Sequence, residues 1–308
     1  MRVRVRVPAT SANLGPGFDA LGLALALHNE VLAEPATEVT VSIEGEGRGR
    51  LDEGAKNLVA RAVALAHEVV GRPFHGVRLR CINRIPLSRG LGSSAAAWVG
   101  GLLAANALIG EPLDRDAVLT AAARAEGHPD NVAAALLGGL TVSCADGGRV
   151  TAVGLPAPSE VEWVVLLPET ESSTREARAV LPDTLSRADA VFNVQRVSLL
   201  LAALATGRVD LLDQAMQDRL HQPYRRRLFP WMEAIAAAGR RAGGLGCVLS
   251  GAGPSMLAAV RQGDGRAVAE AMERALRDAG IPGRAMVLPV HPVGATWERG
   301  SETWLLLE

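Results

Sequence analysis

The sequence predicts an α+β protein in two domains. Stretches that alternate apolar and polar residues with period two stand beside stretches with helical spacing, along the whole of the 308 residues. A shift in composition at Leu155–Glu160, where Pro156 and Pro158 sit among small and polar residues, divides them. A chain of this length builds one large or two ordinary domains. With 48% hydrophobic residues it can bury a sizeable core.

Arg2–Val7 alternates Arg and Val, which makes a strand with one apolar face rather than a signal peptide. Leu21–Leu27, Val39–Glu44 and Val77–Asn83 read as further strands. Asn57–Val70 has Leu58, Val59, Ala62, Val63, Leu65 and Ala66 at helical spacing. Ala95–Leu108 and Arg115–Glu126 are the next helices, the second with Asp114 as N-cap. Asn131–Leu137 is a short buried helix ended by Gly138 and Gly139. The strand Leu140–Cys144 enters a hairpin turn at Asp146, Gly147 and Gly148. Beyond the composition shift come the strand Glu162–Leu167, helices within Ala188–Thr206, Asp210–Gln217 and Trp231–Ala242, and the strand Cys247–Leu249. A glycine loop, Ser250–Ser255, is read as following that strand and preceding a helix. Helix Gly265–Ala279 and strand Ala285–Pro289 complete the order, and the expected domains are 1–155 and 156–308.

Composition excludes several function classes. A net charge of −1 and 3% aromatic residues supply neither the basic field nor the stacking surface that nucleic acid needs. The longest apolar runs, Ala20–Leu27 and Ala95–Ile109, fall short of the roughly 18 residues that span a bilayer. Cys81, Cys144 and Cys247 have no CxxC spacing, which points to a reducing compartment, and a cytoplasmic protein is expected. His67 and Glu68 lack the second histidine of a zinc HExxH motif.

The most informative segment is Ile85–Ala97, IPLSRGLGSSAAA, a glycine-serine turn running into an alanine-rich helix. The first turn of a helix has N–H groups without intrahelical partners and a dipole that favours negative charge. Gly90 and Gly92 admit close approach of an anion, and the hydroxyl of Ser93 or Ser94 suits Mg²⁺. Lys56 is the only lysine in the chain, so a Walker loop with its lysine is excluded. The same residues would also serve as a plain serine N-cap.

Other segments carry more polar groups than turns require. Pro8–Leu27 holds Ser11, Asn13 and Asp19 around a Gly-Pro-Gly turn. Glu126–Val132, EGHPDNV, clusters Glu126, His128, Asp130 and Asn131 ahead of an apolar helix. Ser173–Pro182 and His221–Pro230 offer Thr and Arg groups that clamp a carboxylate or phosphate. Taken singly, each also has an ordinary reading as a cap, a turn or a surface charge.

In this order and at these distances, Pro8–Leu27, the phosphate loop and Gly243–Ala258 resemble the GHMP kinase superfamily. EGHPDNV, the T-x-x-x-R of Thr174 and Arg178, and the PYR of Pro223–Arg225 resemble its branch that phosphorylates L-homoserine. The resemblance implies a GHMP kinase fold, with an N-terminal ribosomal-protein-like βαβ domain and a C-terminal ferredoxin-like domain. It implies ATP-dependent phosphorylation of the homoserine side-chain hydroxyl, a step toward threonine, with Mg²⁺ and a homodimer. Carried over by motif, Asn13, Asp19, His128, Asp130, Arg178, Arg225 and Gly251 would face the amino acid. Asn57 would lie near adenine, and Pro86, Leu87, Ser88, Arg89, Gly90, Leu91, Gly92, Ser93, Ser94, Ala95 and Ala96 would follow the nucleotide. Ser94 and Glu126 would hold Mg²⁺, and Thr174 and Arg178 would stand near the transferred phosphate. Asn131 occupies the place where mevalonate-type relatives carry an aspartate proposed as base, so no general base is assigned. The charges fit a zwitterion: Asp19 and Asp130 suit its ammonium, Arg178 and Arg225 its carboxylate. A mevalonate-type or sugar-type kinase, or a sensor without turnover, are the alternatives on the same fold.

Overall fold

The computed structural model describes residues 1–300. Residues 301–308, the end of the second expected domain, lie outside the described residues. The first half contains β1 (Arg2–Asn13), β2 (Gly17–Pro35), β3 (Val39–Gly45), α1 (Leu58–Val70), β4 (Val77–Asn83), α2 (Ser93–Leu108), α3 (Arg115–Glu126), α4 (Asp130–Leu137), β5 (Leu140–Asp146) and β6 (Arg149–Leu155). Alternation along β1 sorts its two faces. Val3, Val5 and Val7 are buried in the main core with residues of α1, α2 and α4. Arg2 and Arg4 lie on the other face and pair across the sheet with Glu34 and Glu30 of β2. Arg78 and Arg84 close the same lattice from the β4 side. The antiparallel pairing of β1 with β2 shifts register after Pro8, where proline has no N–H to donate.

The second half contains β7 (Val161–Pro168), α5 (Thr174–Ala179), α6 (Arg187–Thr206), α7 (Leu212–Ala215), α8 (Gln222–Arg225), α9 (Met232–Arg241), β8 (Gly244–Leu249), β9 (Met256–Arg261), α10 (Gly265–Asp278) and β10 (Gly283–Val287). Its sheet runs β10-β7-β9-β8, antiparallel throughout. Counted within that sheet the order is fourth-first-third-second, the ferredoxin-like arrangement. Period two again divides a strand. Val164 and Leu166 of β7 pack with α9 and α10, whereas Trp163, Val165 and Leu167 join the core shared with the first half. The last strand, β11 (Thr296–Gly300), returns to pair with β1.

The segment after Ser250–Ser255 is a correction to the sequence reading. It is the strand β9, which forms a hairpin with β8; the helix begins only at Gly265. Met256–Val260 is apolar on both faces and wholly buried, and a short run of that kind has no period to tell strand from helix. β2 also continues to Pro35 past the expected end at Leu27. Asn29 and Glu30 look like loop residues, yet Asn29 accepts the N–H groups of Arg84 and Ile85, and Glu30 is held between Arg4 and Arg84. Among the described residues one helix, α6, is long and apolar enough to cross a membrane by length and composition. It buries Asn193, Leu200, Ala203 and Leu204 against the body of the protein.

Candidate active site

Between the two halves lies a cavity of about 210 Å³. Its floor is the loop Pro86–Ser94 and the first turn of α2. Gly92 is the N-cap of α2 in a left-handed conformation, and no side chain caps the helix. The first-turn N–H groups thus have no side chain to satisfy them, as an anion site requires. Two glycines are dictated by close approach as well as by φ. A Cβ on Gly92, at φ +68°, would stand 1.9 Å from Thr10 Oγ1. One on Gly90, at φ +70°, would stand 2.2 Å from the carbonyl oxygen of Ser250. The loop is tied to both halves: Thr10 N–H donates to Leu91, Ser250 Oγ donates to the Gly90 carbonyl, and Arg89 donates to the carbonyls of Pro168 and Glu169.

Acidic groups line one side of the cavity. Ser94, in the first turn of α2, donates to Glu126 Oε2 at 2.6 Å. Burial pushes the Glu126 carboxyl above its ordinary range, against the Ser94 hydrogen bond and the His128 charge. His128 Nδ1 lies 2.6 Å from Asp130 Oδ1, and its Nε2 lies 3.9 Å from Glu126. Burial opposes a charge on His128, but the bond to Asp130 and the charges of Asp130, Glu126 and Asp19 outweigh it, so its pKa is raised. Ligand atoms of Asp19, His128 and Asp130 all lie within 4.8 Å of one another. Asp130 opens α4, where an acidic residue suits the helix dipole, and Asn131 beside it accepts a hydrogen bond from Thr10 Oγ1 at 2.8 Å.

Two arginines line the other side. A capping box of Ser173 and Glu176 starts α5, and the i, i+4 spacing sets Thr174 and Arg178 on one face of it. Arg178 donates to both oxygens of Asp19, at 3.0 and 2.6 Å. Arg225, in α8, is 2% exposed. It donates to the carbonyls of Ala177 and Gly251 at 3.1 and 2.9 Å, and among the described residues no carboxylate is one of its hydrogen-bond partners. Burial, then the nearby Arg178, lowers its pKa to about 10, so it remains a cation at neutral pH. Phe18 packs against both guanidiniums, whose central carbons are 5.3 and 5.6 Å from its ring centre.

A pocket with an anion floor, an acidic wall and a buried arginine fits transfer of phosphate to a small zwitterion. The family models for the N-terminal domain and the C-terminal domain of GHMP kinases match residues 57–139 and 200–278. A homoserine kinase of Moorella thermoacetica is 48% identical over 83% of this chain and 87% of its own. One of Carboxydothermus hydrogenoformans is 45% identical over 91% of each. The crystal structure of homoserine kinase from Cytophaga hutchinsonii superposes with a TM-score of 0.88 at 32% identity, covering 96% of this chain and 97% of that one. The chain belongs to the homoserine kinase family of GHMP kinases. Mevalonate kinase of L. major, at 18% identity and a TM-score of 0.70, shares the fold.

In this GHMP kinase most positions read from the sequence meet in the one cavity. Asn13, Asp19, His128, Asp130, Asn131, Thr174, Arg178, Arg225 and Gly251 line it together with Pro86, Ser88 through Ser94, and Glu126. Leu87, Ala95, Ala96 and Asn57 do not. Ala95 and Ala96 are buried in the core behind the loop. Asn57 is the N-cap of α1, its Oδ1 accepting from Val59 N–H at 2.9 Å and its Nδ2 donating to Asp52. Gly251 presents a carbonyl that already accepts from Asn13 and Arg225. Asp19 and Arg178, read as separate contacts for ammonium and carboxylate, hold each other. Sequence reading passed over Phe18, Ser172 and Ser173. The only signal for Phe18 was an aromatic residue directly after a Gly-Pro-Gly turn in a chain that has four phenylalanines.

Proposed function

We propose that the chain transfers the γ-phosphoryl group of ATP to the side-chain hydroxyl of L-homoserine, with the phosphates on the α2 loop and the amino acid between Asp130 and Arg225. The observation that carries this reading is the convergence of Asp130, Arg178 and Arg225 in the same cavity as an uncapped helix N-terminus. Arg225, a buried cation with no carboxylate bonded to it, receives the substrate carboxylate. Asp130, with Asp19 beside it, receives the ammonium. The resting pair of Asp19 and Arg178 is itself a stand-in for the zwitterion. Each group keeps the other neutralised, and the two substrate charges replace them at little cost because the pair is part-exposed.

Phosphoryl transfer needs positioning and neutralisation of charge more than covalent help from the protein. The N–H groups of the α2 first turn take the phosphate oxygens, and Arg178 and Thr174 stand at the transferred group. Ser94 and Glu126 are hard oxygen donors in contact beside the α2 loop, so both fit a Mg²⁺ ion. The ion, when bound, neutralises phosphate charge. Asn131 carries a carboxamide that cannot take a proton, and its oxygen is engaged by Thr10. The hydroxyl therefore attacks in line and releases its proton late, to a phosphate oxygen or water.

ADP release coupled to a recording enzyme, with MgATP and L-homoserine, mevalonate, L-serine or galactose, tests the reading. Strong turnover on L-homoserine alone supports it. Turnover on mevalonate or galactose removes the zwitterion contacts, and ATP binding without turnover on any of them makes the chain a sensor. The proposal extends to a boundary at 155/156, with β11 added back to the first sheet. It also extends to a homodimer, which sedimentation checks, and to the reducing cytoplasm, in keeping with three free cysteines.

A further inference from the structure

His221 opens the segment that carries Arg225, and it is fully buried. Its Nε2 lies 2.8 Å from the carbonyl oxygen of Gly15, which only accepts, so the ring proton sits on Nε2. Nδ1 is then a lone pair, and Arg225 donates to it at 3.0 Å. Four groups face the ring. Asp218 stands 3.5 Å from Nε2, but its oxygens already accept from the N–H groups of Leu220, His221 and Gln222 and from Asn193. Phe18 packs on the ring with centroids 5.3 Å apart. Arg225 and Asp19 supply the remaining charges, and burial with Arg225 keeps the ring neutral.

We infer that His221 is a positioning residue for the substrate carboxylate: a neutral acceptor that aims the Arg225 guanidinium into the cavity and ties it, through Gly15, to the turn carrying Asn13 and Asp19. The inference rests on the proposed reading of Arg225. A neutral acceptor suits the task. An aspartate or glutamate at this place would orient Arg225 equally well but would also neutralise it, and the carboxylate of the substrate would meet a satisfied cation. An imidazolium would turn Nδ1 into a donor facing another donor.

Two substitutions separate the two ends of the ring. His221→Asn puts an amide oxygen near the Nδ1 position and keeps an acceptor for Arg225 while losing the bond to Gly15. His221→Gln reaches the Nε2 position and keeps the bond to Gly15 while leaving Arg225 with only its two carbonyl acceptors. Loss of a hydrogen bond to a charged group predicts that His221→Gln raises KM for L-homoserine about 10- to 100-fold, with KM for ATP little changed. The rise in His221→Asn is at least about fivefold smaller. Equal effects, the reverse order, or a parallel rise in KM for ATP overturns the role of His221. Nitrogen NMR of the unsubstituted enzyme at neutral pH gives a second measure: an Nδ1-protonated or doubly protonated His221 overturns it even if a variant fails to fold. Arg225→Ala run alongside tells the two levels apart. If it leaves KM for L-homoserine unchanged, the carboxylate clamp falls and the inference with it. If it raises that KM while the Asn and Gln variants behave alike, only the inference falls.

Discussion

Replacing Arg178 with alanine separates substrate binding from folding. In the resting site its guanidinium makes two hydrogen bonds to Asp19, at 3.0 and 2.6 Å, yet the side chains keep 37% and 34% of their surface in water. A pair so exposed stabilises a fold by about 0–1 kcal/mol. For a domain near this size each kcal/mol moves Tm by about 2–4 °C, so Tm falls by no more than about 4 °C. Bound substrate covers the pair in the proposed reading, and removing one of the two guanidiniums that meet its charges costs about 2–5 kcal/mol. That is roughly a 30- to several-thousand-fold loss of kcat/KM for L-homoserine. KM for ATP changes less than KM for L-homoserine on this reading, because Arg178 would meet only the transferred group while the N–H groups of the α2 loop would take the other phosphates. Coupled ADP release at varied homoserine and ATP, with a thermal melt of the same preparation, gives all three numbers. A Tm drop beyond about 10 °C would make Arg178 a structural residue. Equal losses for both ligands would refute the clamp.

Three further outcomes follow from the same geometry. Glu126→Gln raises the Mg²⁺ concentration for half-maximal rate by about tenfold or more. It leaves the metal-free protein at least as stable at neutral pH, since a carboxyl whose pKa burial raises loses its stabilising effect above the ordinary value of 4.5; a Mg²⁺ titration and a melt in chelator check both parts. Asn131→Asp does not raise kcat, and an increase accompanied by a new acidic limb in the pH profile would restore a general base to the mechanism. Stability against urea falls between pH 6.5 and about 4 and again between pH 9 and about 12. His28 and His221 are lowered to about 4, mainly by burial, so the unfolded chain binds protons first on acidification; Cys81 and Cys247 are raised to about 12 by burial, so unfolded thiols ionise first in alkali. A urea midpoint flat across both ranges would contradict those assignments.

Much of this fold is legible because its elements carry local instructions. Asp114 caps α3, which runs from Arg115 to Glu126 as read from the sequence, and the Arg/Val alternation of β1 sorts core from surface without help from any other segment. Where the reading stopped, the missing information was long-range. β9 is apolar on both faces because helices cover one side of its sheet and the first half covers the other, and nothing in MLAAV records that. Asn57 has the right residue type for a nucleotide contact and for an N-cap; the structure shows the cap.

The same limit divides the candidate site. Motifs name the residues that face the cavity, but not the bonds those residues make with one another. Asp19 and Arg178 are 159 positions apart and reach each other because the Gly-Pro-Gly turn and α5 close on opposite sides of one cavity. That pairing changes the chemistry of binding. On the proposed reading a homoserine molecule does not enter a site of waiting charges; it exchanges partners with a pair already in place, and of the two arginines only Arg225 has no carboxylate bonded to it among the described residues. The order of engagement follows. In that reading the substrate carboxylate would meet Arg225 first, because that cation has the most to gain from it. Arg178 would then leave Asp19 for the carboxylate and the transferring phosphate, which would free Asp19 for the ammonium. A ligand without an ammonium would leave Asp19 uncompensated at that point, so the resting ion pair itself discriminates against alcohols that lack one.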